Sequence, residues 1–290
     1  MEVTQTQASS QRAEAPWGTI TVPANPGREA TIAVDVAMAL ARQAAMAVEL
    51  VAVPPPGVPV VTTELFLASQ ARQRIRSGQL PPRSWQVLEA GDVADALVEH
   101  VTAGPTRMLC MASQARGALG EMVLGSVSEA VLRRSPVPVL LVGPNVYHVP
   151  EHYGRLVVAL DGSPQADGAL QVAAELDRHL DVGLFLVEVL GTDGVPPDAD
   201  VHESALLQRS ANGLTPRPVG FDVLHSTNVA DAIVDYADQW NDRIVVLGTH
   251  GRTGLSRLAM GSVALAVVRH SHCPVLVVPP TATLAPRSVA

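Results

Sequence analysis

The sequence predicts an α/β protein of two tandem doubly wound domains, each a five-stranded parallel sheet with helices on both faces. Three observations predict it. The chain repeats itself at one fixed offset. Short apolar runs alternate with helical periodicity inside each copy. The length of 290 residues suits two domains of ordinary size.

The repeat has an offset of 136 residues, and the window Ala112–Pro144 matches Gly248–Pro280 at 14 of 33 positions without a gap. Gly125-Ser126-Val127 aligns with Gly261-Ser262-Val263, and Pro138-Val139-Leu140 with Pro274-Val275-Leu276. The same offset aligns Val93-Ala94-Asp95-Ala96 with Val229-Ala230-Asp231-Ala232, and Ile20-Thr21-Val22 with Leu156-Val157-Val158. A period this long makes each copy a whole domain rather than a solenoid unit. The division expected is 18–143 and 154–279, joined by a short proline-bounded linker at 144–153. Residues 1–17 and 280–290 are expected to be flexible tails.

Within the second copy each element has a local cause. Leu156–Leu160 is a continuous apolar run, as a strand covered on both faces requires. Ser163 suits a helix cap and Pro164 its first turn. Ala166, Ala169, Leu170, Ala173, Leu176 and Leu180 then recur at helical spacing. Leu184–Val189 reads as a strand, Val201–Ala211 as a weaker helix and Phe221–His225 as a short strand. Val229–Trp240 reads as a helix, Ile244–Gly248 as the fourth strand, Gly261–His270 as the last helix and Pro274–Val278 as the fifth strand. Regular alternation of strand and helix gives a parallel, doubly wound sheet.

Composition narrows the chemistry. Apolar residues make up 47% of the chain but aromatics only 3%, so the cores are built from Val, Leu, Ala and Ile. A net charge of -8 argues against a nucleic-acid partner, which needs a concentrated positive face. All 20 basic residues are Arg; the absence of Lys excludes both a lysine-containing P-loop and a Schiff-base lysine. Cys110 and Cys273 form no CxxC pair and suggest neither a disulfide framework nor zinc. Met1 to Pro16 lacks the apolar core of a secretory signal, and no apolar stretch has membrane-spanning length. A cytoplasmic protein is expected.

In open α/β sheets ligands bind beyond the carboxyl ends of the strands, where strand order reverses. In the second copy the first strand ends in Asp161-Gly162-Ser163-Pro164. The fourth ends in Gly248-Thr249-His250-Gly251, nine residues ahead of Gly261-Ser262. Glycines let the backbone turn tightly and approach a ligand, and a helix start offers free N–H groups to an anion. Ser262 adds a hydroxyl, and Asp161 an acceptor for a ribose hydroxyl or an exocyclic amine. Together these groups suit a polyphosphate held without lysine. His250, Arg252 and Arg257 are secondary candidates for ribose or phosphate, equally readable as solvated loop residues. His270 and His272 lie near a helix C-terminus with no third metal ligand in view. Asp231, Asp235 and Asp238 read as solvated carboxylates on a polar helix face.

The GTHG-x9-GS pattern, followed by a short helix and Cys273-Pro274-Val275-Leu276-Val277-Val278, resembles the nucleotide-binding signature of the universal stress protein family. The segment Val157-Val158-Ala159-Leu160-Asp161-Gly162-Ser163-Pro164 is similar to that family's first strand and loop. By position, the resemblance implies Asp161 and Val189 near adenine. It implies Gly248, Gly251, Gly261 and Ser262 at ribose and phosphate. Ala159, Leu247 and Val263 enter as backbone contacts. The implied ligand is ATP, with Mg2+ as its candidate companion, and the implied role is ATP-dependent regulation in stress responses. The resemblance also implies that last strands pair edge to edge, so the runs Val137–Val142 and Val275–Val278 are expected to form an internal pseudo-dimer, with a homodimer beyond it open.

The first copy departs from the pattern. Asn25 replaces Asp161, Ala112 replaces Gly248 and Ala115 replaces Gly251, while Gly125-Ser126 survives. One good ATP site per chain is therefore expected, in the C-terminal domain. No catalytic residue is assigned. The alternatives are a slow ATPase or phosphotransferase, and a nucleotide-independent interaction module.

Overall fold

The computed structural model describes residues 17–24, 28–89, 91–113, 124–191, 204–214, 219–251 and 260–284. The first half runs β1 (Thr19–Pro23), α1 (Arg28–Gln43), β2 (Ala47–Ala52), α2 (Val60–Arg76), β3 (Ser84–Val87), α3 (Val93–Ala103), β4 (Thr106–Ala112), α4 (Ser126–Arg134) and β5 (Val139–Val142). The second runs β6 (Arg155–Ala159), α5 (Pro164–Leu180), β7 (Gly183–Leu190), α6 (Ala205–Asn212), β8 (Gly220–His225), α7 (Val229–Ala237), β9 (Arg243–Gly248), α8 (Ser262–His270) and β10 (Val275–Val278).

All ten strands form one sheet in the order β3-β2-β1-β4-β5-β10-β9-β6-β7-β8. Within each half every pairing is parallel, as strand–helix alternation demands. The halves meet where β5 and β10 pair antiparallel, with Val139 opposite Val277, Leu140 opposite Leu276 and Leu141 opposite Val275. Leu140 and Leu276 are equivalent residues of the two copies, so a pseudo-twofold axis passes between them.

Strand alternation sends side chains to two apolar layers. Along β4, Met108 and Cys110 enter the layer beneath α1, α2, α5 and α6, while Leu109 and Met111 enter the layer beneath α3, α4, α7 and α8. Each layer runs unbroken through both halves. The helix stripe expected from Ala166 to Leu180 is buried as a whole. Its cap is also found: Ser163 Oγ accepts from the Ala166 N–H at 3.2 Å. The helix expected over Val229–Trp240 stops at Ala237, and Trp240 instead packs its ring 5.2 Å from those of Phe185 and Tyr236. Of the weak helix at Val201–Ala211, residues 201–203 lie outside the described residues. The described part starts after Ser204, whose Oγ caps the Leu207 N–H at 3.1 Å.

The tails and linker require correction. Trp17, expected in a flexible tail, is buried and stacks on His179 of α5 with ring centroids 3.9 Å apart. Val146 and Tyr153, expected in a polar linker, are buried. Ala282 and Leu284, expected in the C-terminal tail, belong to the core as well. Residues 1–16 and 285–290 lie outside the described residues.

These segments follow the pseudo-twofold axis. Trp17 and Tyr153 are equivalent positions, and so are His179 and Gln43. Where Trp17 meets His179, Tyr153 meets Gln43: its N–H donates to Gln43 Oε1 at 2.9 Å and its carbonyl accepts from Nε2 at 2.7 Å. After β5, Val146 N–H turns back to the Gly143 carbonyl at 3.3 Å, and Asn145 Nδ2 donates to the Arg269 carbonyl of the second half at 3.0 Å. After β10, Ala282 N–H makes the same turn to the Pro279 carbonyl at 3.0 Å. Thr283 and Leu284 then bond back to the first half, through the Pro136 carbonyl and the Arg107 guanidinium. Each half thus straps the other.

Candidate functional site

The order of the second half reverses between β6 and β9, the two central neighbours. Their carboxyl ends bring the two sequence-predicted loops together. Leaving β6, Gly162 takes φ of +78°, a conformation that side chains rarely adopt. That turn lets Asp161 Oδ1 accept from the Ser163 N–H at 3.0 Å, just ahead of the Ser163 cap. Asp161 is half-buried, and its second oxygen faces the β9 loop. A Cβ built on Gly251 would fall 2.5 Å from Asp161 Oδ2. Gly251 is thus the position at which the two loops touch, and any side chain there displaces the carboxylate.

Gly248 has a different reason. A Cβ on it would lie 2.9 Å from the carbonyl carbon and oxygen of Gln165, in the first turn of α5. The backbone that comes close to Gly248 is the protein's own. Leu247 beside it is buried, and Ala159 and Val189 are half-buried against the layer beneath α7 and α8. Ala159, Leu247, Gly248 and Val189 therefore occupy the carboxyl ends of three adjacent strands, with Val189 one strand further out than Asp161.

The long excursion after Gly251 closes on itself. Gly261 N–H donates to the Thr249 carbonyl at 2.7 Å, and Ser262 opens α8. Gly261 is the cap residue of α8 and brings no side chain to it, so among the described residues the first N–H groups of that helix have no side-chain acceptor. Ser262 and Val263 are exposed. Thr249 is 1% exposed and its Oγ1 has no hydrogen-bond partner among the described residues. Sequence reasoning used Thr249 only as spacing; its signal was a hydroxyl between two glycines at a buried strand end. Arg252 and Arg257 lie outside the described residues.

Two of the three carboxylates expected to be merely solvated are engaged, while Asp235 is exposed as expected. Asp238 pairs with the buried Arg243 and accepts from His272 Nδ1 at 2.8 Å. Asp231 lies 3.5 Å from His270 Nδ1. These contacts tie α7 to β9 and to the end of α8, and they leave His270 and His272 as structural partners. Among the described residues no group of three or more His, Cys, Asp or Glu side chains is gathered for a metal.

The first half repeats the backbone frame. Gly125 N–H donates to the Ser113 carbonyl at 3.0 Å, and α4 begins at Ser126 with no side-chain cap among the described residues. Ser128 Oγ then donates to the Ala112 carbonyl at 3.2 Å; its counterpart Ala264 has no donor to offer the Gly248 carbonyl. Asn25 and Ala115 lie outside the described residues.

Comparison with known proteins is decisive for kinship. The model of the universal stress protein family matches residues 16–143 and again 152–279. The chain belongs to the universal stress protein family. A universal stress protein of Mycobacterium tuberculosis is 28% identical over 179 residues, 59% of this chain and 61% of that relative's length. One from Methanocaldococcus jannaschii is 31% identical over 140 residues, 43% of this chain and 82% of its own length. The crystal structure of a universal stress protein from Archaeoglobus fulgidus superposes with a TM-score of 0.67 at 21% identity, covering 91% of this chain and 99% of that one. That last likeness is one of fold, over both universal stress protein domains together.

Proposed function

We propose that the C-terminal domain, residues 154–279, binds ATP and that occupancy of this site regulates the protein in a cytoplasmic stress response. The observation that carries this reading is the contact between Asp161 and Gly251 beside a helix start that no side chain among the described residues caps. An anion at that helix start gains from the free N–H groups and the dipole. Asp161 and Val189 bound the adenine. Gly251, Gly261 and Ser262 hold ribose and phosphates, with Gly248, Ala159, Leu247 and Val263 as the backbone wall. The buried, unbonded Thr249 hydroxyl supplies one more polar group to that loop. Mg2+ would arrive with the triphosphate.

The domain at 18–143 is read as nucleotide-free, with Ala112 in place of the glycine and Ser128 bonded to its carbonyl. ATP regulates by binding two states of the chain unequally, and no group in the site is assigned to catalysis.

Calorimetry on the full chain tests the reading. A side chain at Gly261 meets only ordinary contacts, and its φ of -67° is open to any residue. Gly261→Glu therefore folds and sets a carboxylate against the phosphates. One ATP per chain is expected, lost in Gly261→Glu and retained in Gly125→Glu. Unchanged binding in Gly261→Glu overturns the site. Steady-state phosphate release well above that of Gly261→Glu would make the protein an enzyme instead.

A further inference from the structure

We propose that α2 is a homodimer interface, joining two copies of the chain through an antiparallel helix pair. Of the ten large hydrophobic residues exposed among the described residues, seven fall between Val58 and Trp85. Such concentration is unusual on a monomer surface and marks a contact site.

The inner face of α2 is settled by Thr63, Leu67, Ala71 and Arg74, all buried. A second apolar stripe runs along the flank opposite the half-buried Phe66. It comprises Val61, Ala68 and Ile75, a strict seven-residue repeat, with Leu65 beside it. Val61 is 58% exposed, Leu65 60% and Ile75 59%. Trp85 extends the patch: it pairs with Leu50 in the sheet and so points to the face that α2 covers, on the outermost strand. Among the described residues the second half offers no counterpart, because the described part of α6 is about half as long as α2.

The stripe is complementary to itself. Two copies of α2 laid antiparallel about a twofold axis at Ala68 set Val61 opposite Ile75 of the other copy. The same register sets Glu64 opposite Arg72 of the other copy, twice over. Ala68 at the crossing point has the small side chain that close helix approach needs. Glu64 and Arg72 are both exposed, lie two turns apart on their own helix, and enter no ion pair among the described residues. A symmetric contact of this kind is the commonest route to a closed assembly. The other obvious route, edge pairing of a last strand, is spent inside the chain, where β5 and β10 bond to each other.

Sedimentation velocity on the full chain tests the proposal, with charge reversals whose outcome depends on partner identity. Glu64→Arg places two arginines together at each end of the interface, and Arg72→Glu places two glutamates there. Each single variant is expected to raise the dimer dissociation constant about tenfold or more. Mixing the two variants restores both opposite-charge pairs, so a heterodimer forms at concentrations where neither variant dimerises alone. Both positions are exposed, so circular dichroism and melting stay at wild-type values. Ile75→Glu is expected to give a folded monomer. A wild-type chain that stays monomeric at its highest reachable concentration overturns the proposal. So does a dimer indifferent to these changes, or a monomer that instead binds anionic vesicles through this patch.

Discussion

At the scale of single residues, Gly248 and Gly251 look alike in the sequence yet answer to different neighbours. Gly251 borders a carboxylate, whereas Gly248 borders the backbone of α5. Gly248→Ala must therefore push α5 off β9 or distort its first turn. The expected cost is about 1–3 kcal/mol, the usual range for overpacking. The reverse change in the first half, Ala112→Gly, removes one methyl and adds chain entropy, costing about 1 kcal/mol or less. Urea unfolding of both variants measures the contrast. The glycine spacing was legible because turn chemistry is local. The cause of Gly248 was not, because Gln165 is brought to it only by the packing of α5 on the sheet. Asp161 was legible as a strand-end carboxylate. Its contact with Gly251 required knowing that β6 and β9 are neighbours.

Elements show the same division. The strands and α5 were readable from apolar runs, periodicity and the Ser163-Pro164 start, all of which act within a few residues. The straps were not. Val146, Ala282 and Leu284 are isolated apolar residues in proline-bearing stretches, with no period to announce them, and the hydrogen bonds that hold their segments reach across to the opposite half. The Trp17–His179 contact belongs to this class and has a pH signature. Loss of water around the stacked ring lowers the His179 pKa, with Arg178 and Arg107 acting in the same direction and Glu175 against it. The fold therefore favours the neutral ring. Its contribution is full above the unfolded value of about 6.5 and is lost as pH falls through the lowered folded value. Unfolding midpoints at about pH 7.5 and 5.5 are expected to differ more in wild type than in His179→Gln.

For the whole molecule, two apolar layers that cross the β5–β10 seam predict a single cooperative unit. Each half carries one buried thiol. Burial pushes the Cys110 thiol far above its ordinary value and that of Cys273 up to about 11. Neither reacts until its surroundings open. Thiol-reagent labelling through a urea titration is expected to modify Cys110 and Cys273 in one shared transition. Two separated labelling transitions would mean that the halves unfold independently.

Joining the halves in one polypeptide also changes what substitutions can do. In an assembly of identical subunits every replacement appears on both sides of the axis, so a nucleotide loop cannot be altered once without being altered twice. Here Ala112 faces no such bookkeeping, and its half is free to drift in chemistry while Leu140 and Leu276, facing each other at the centre, remain the same amino acid.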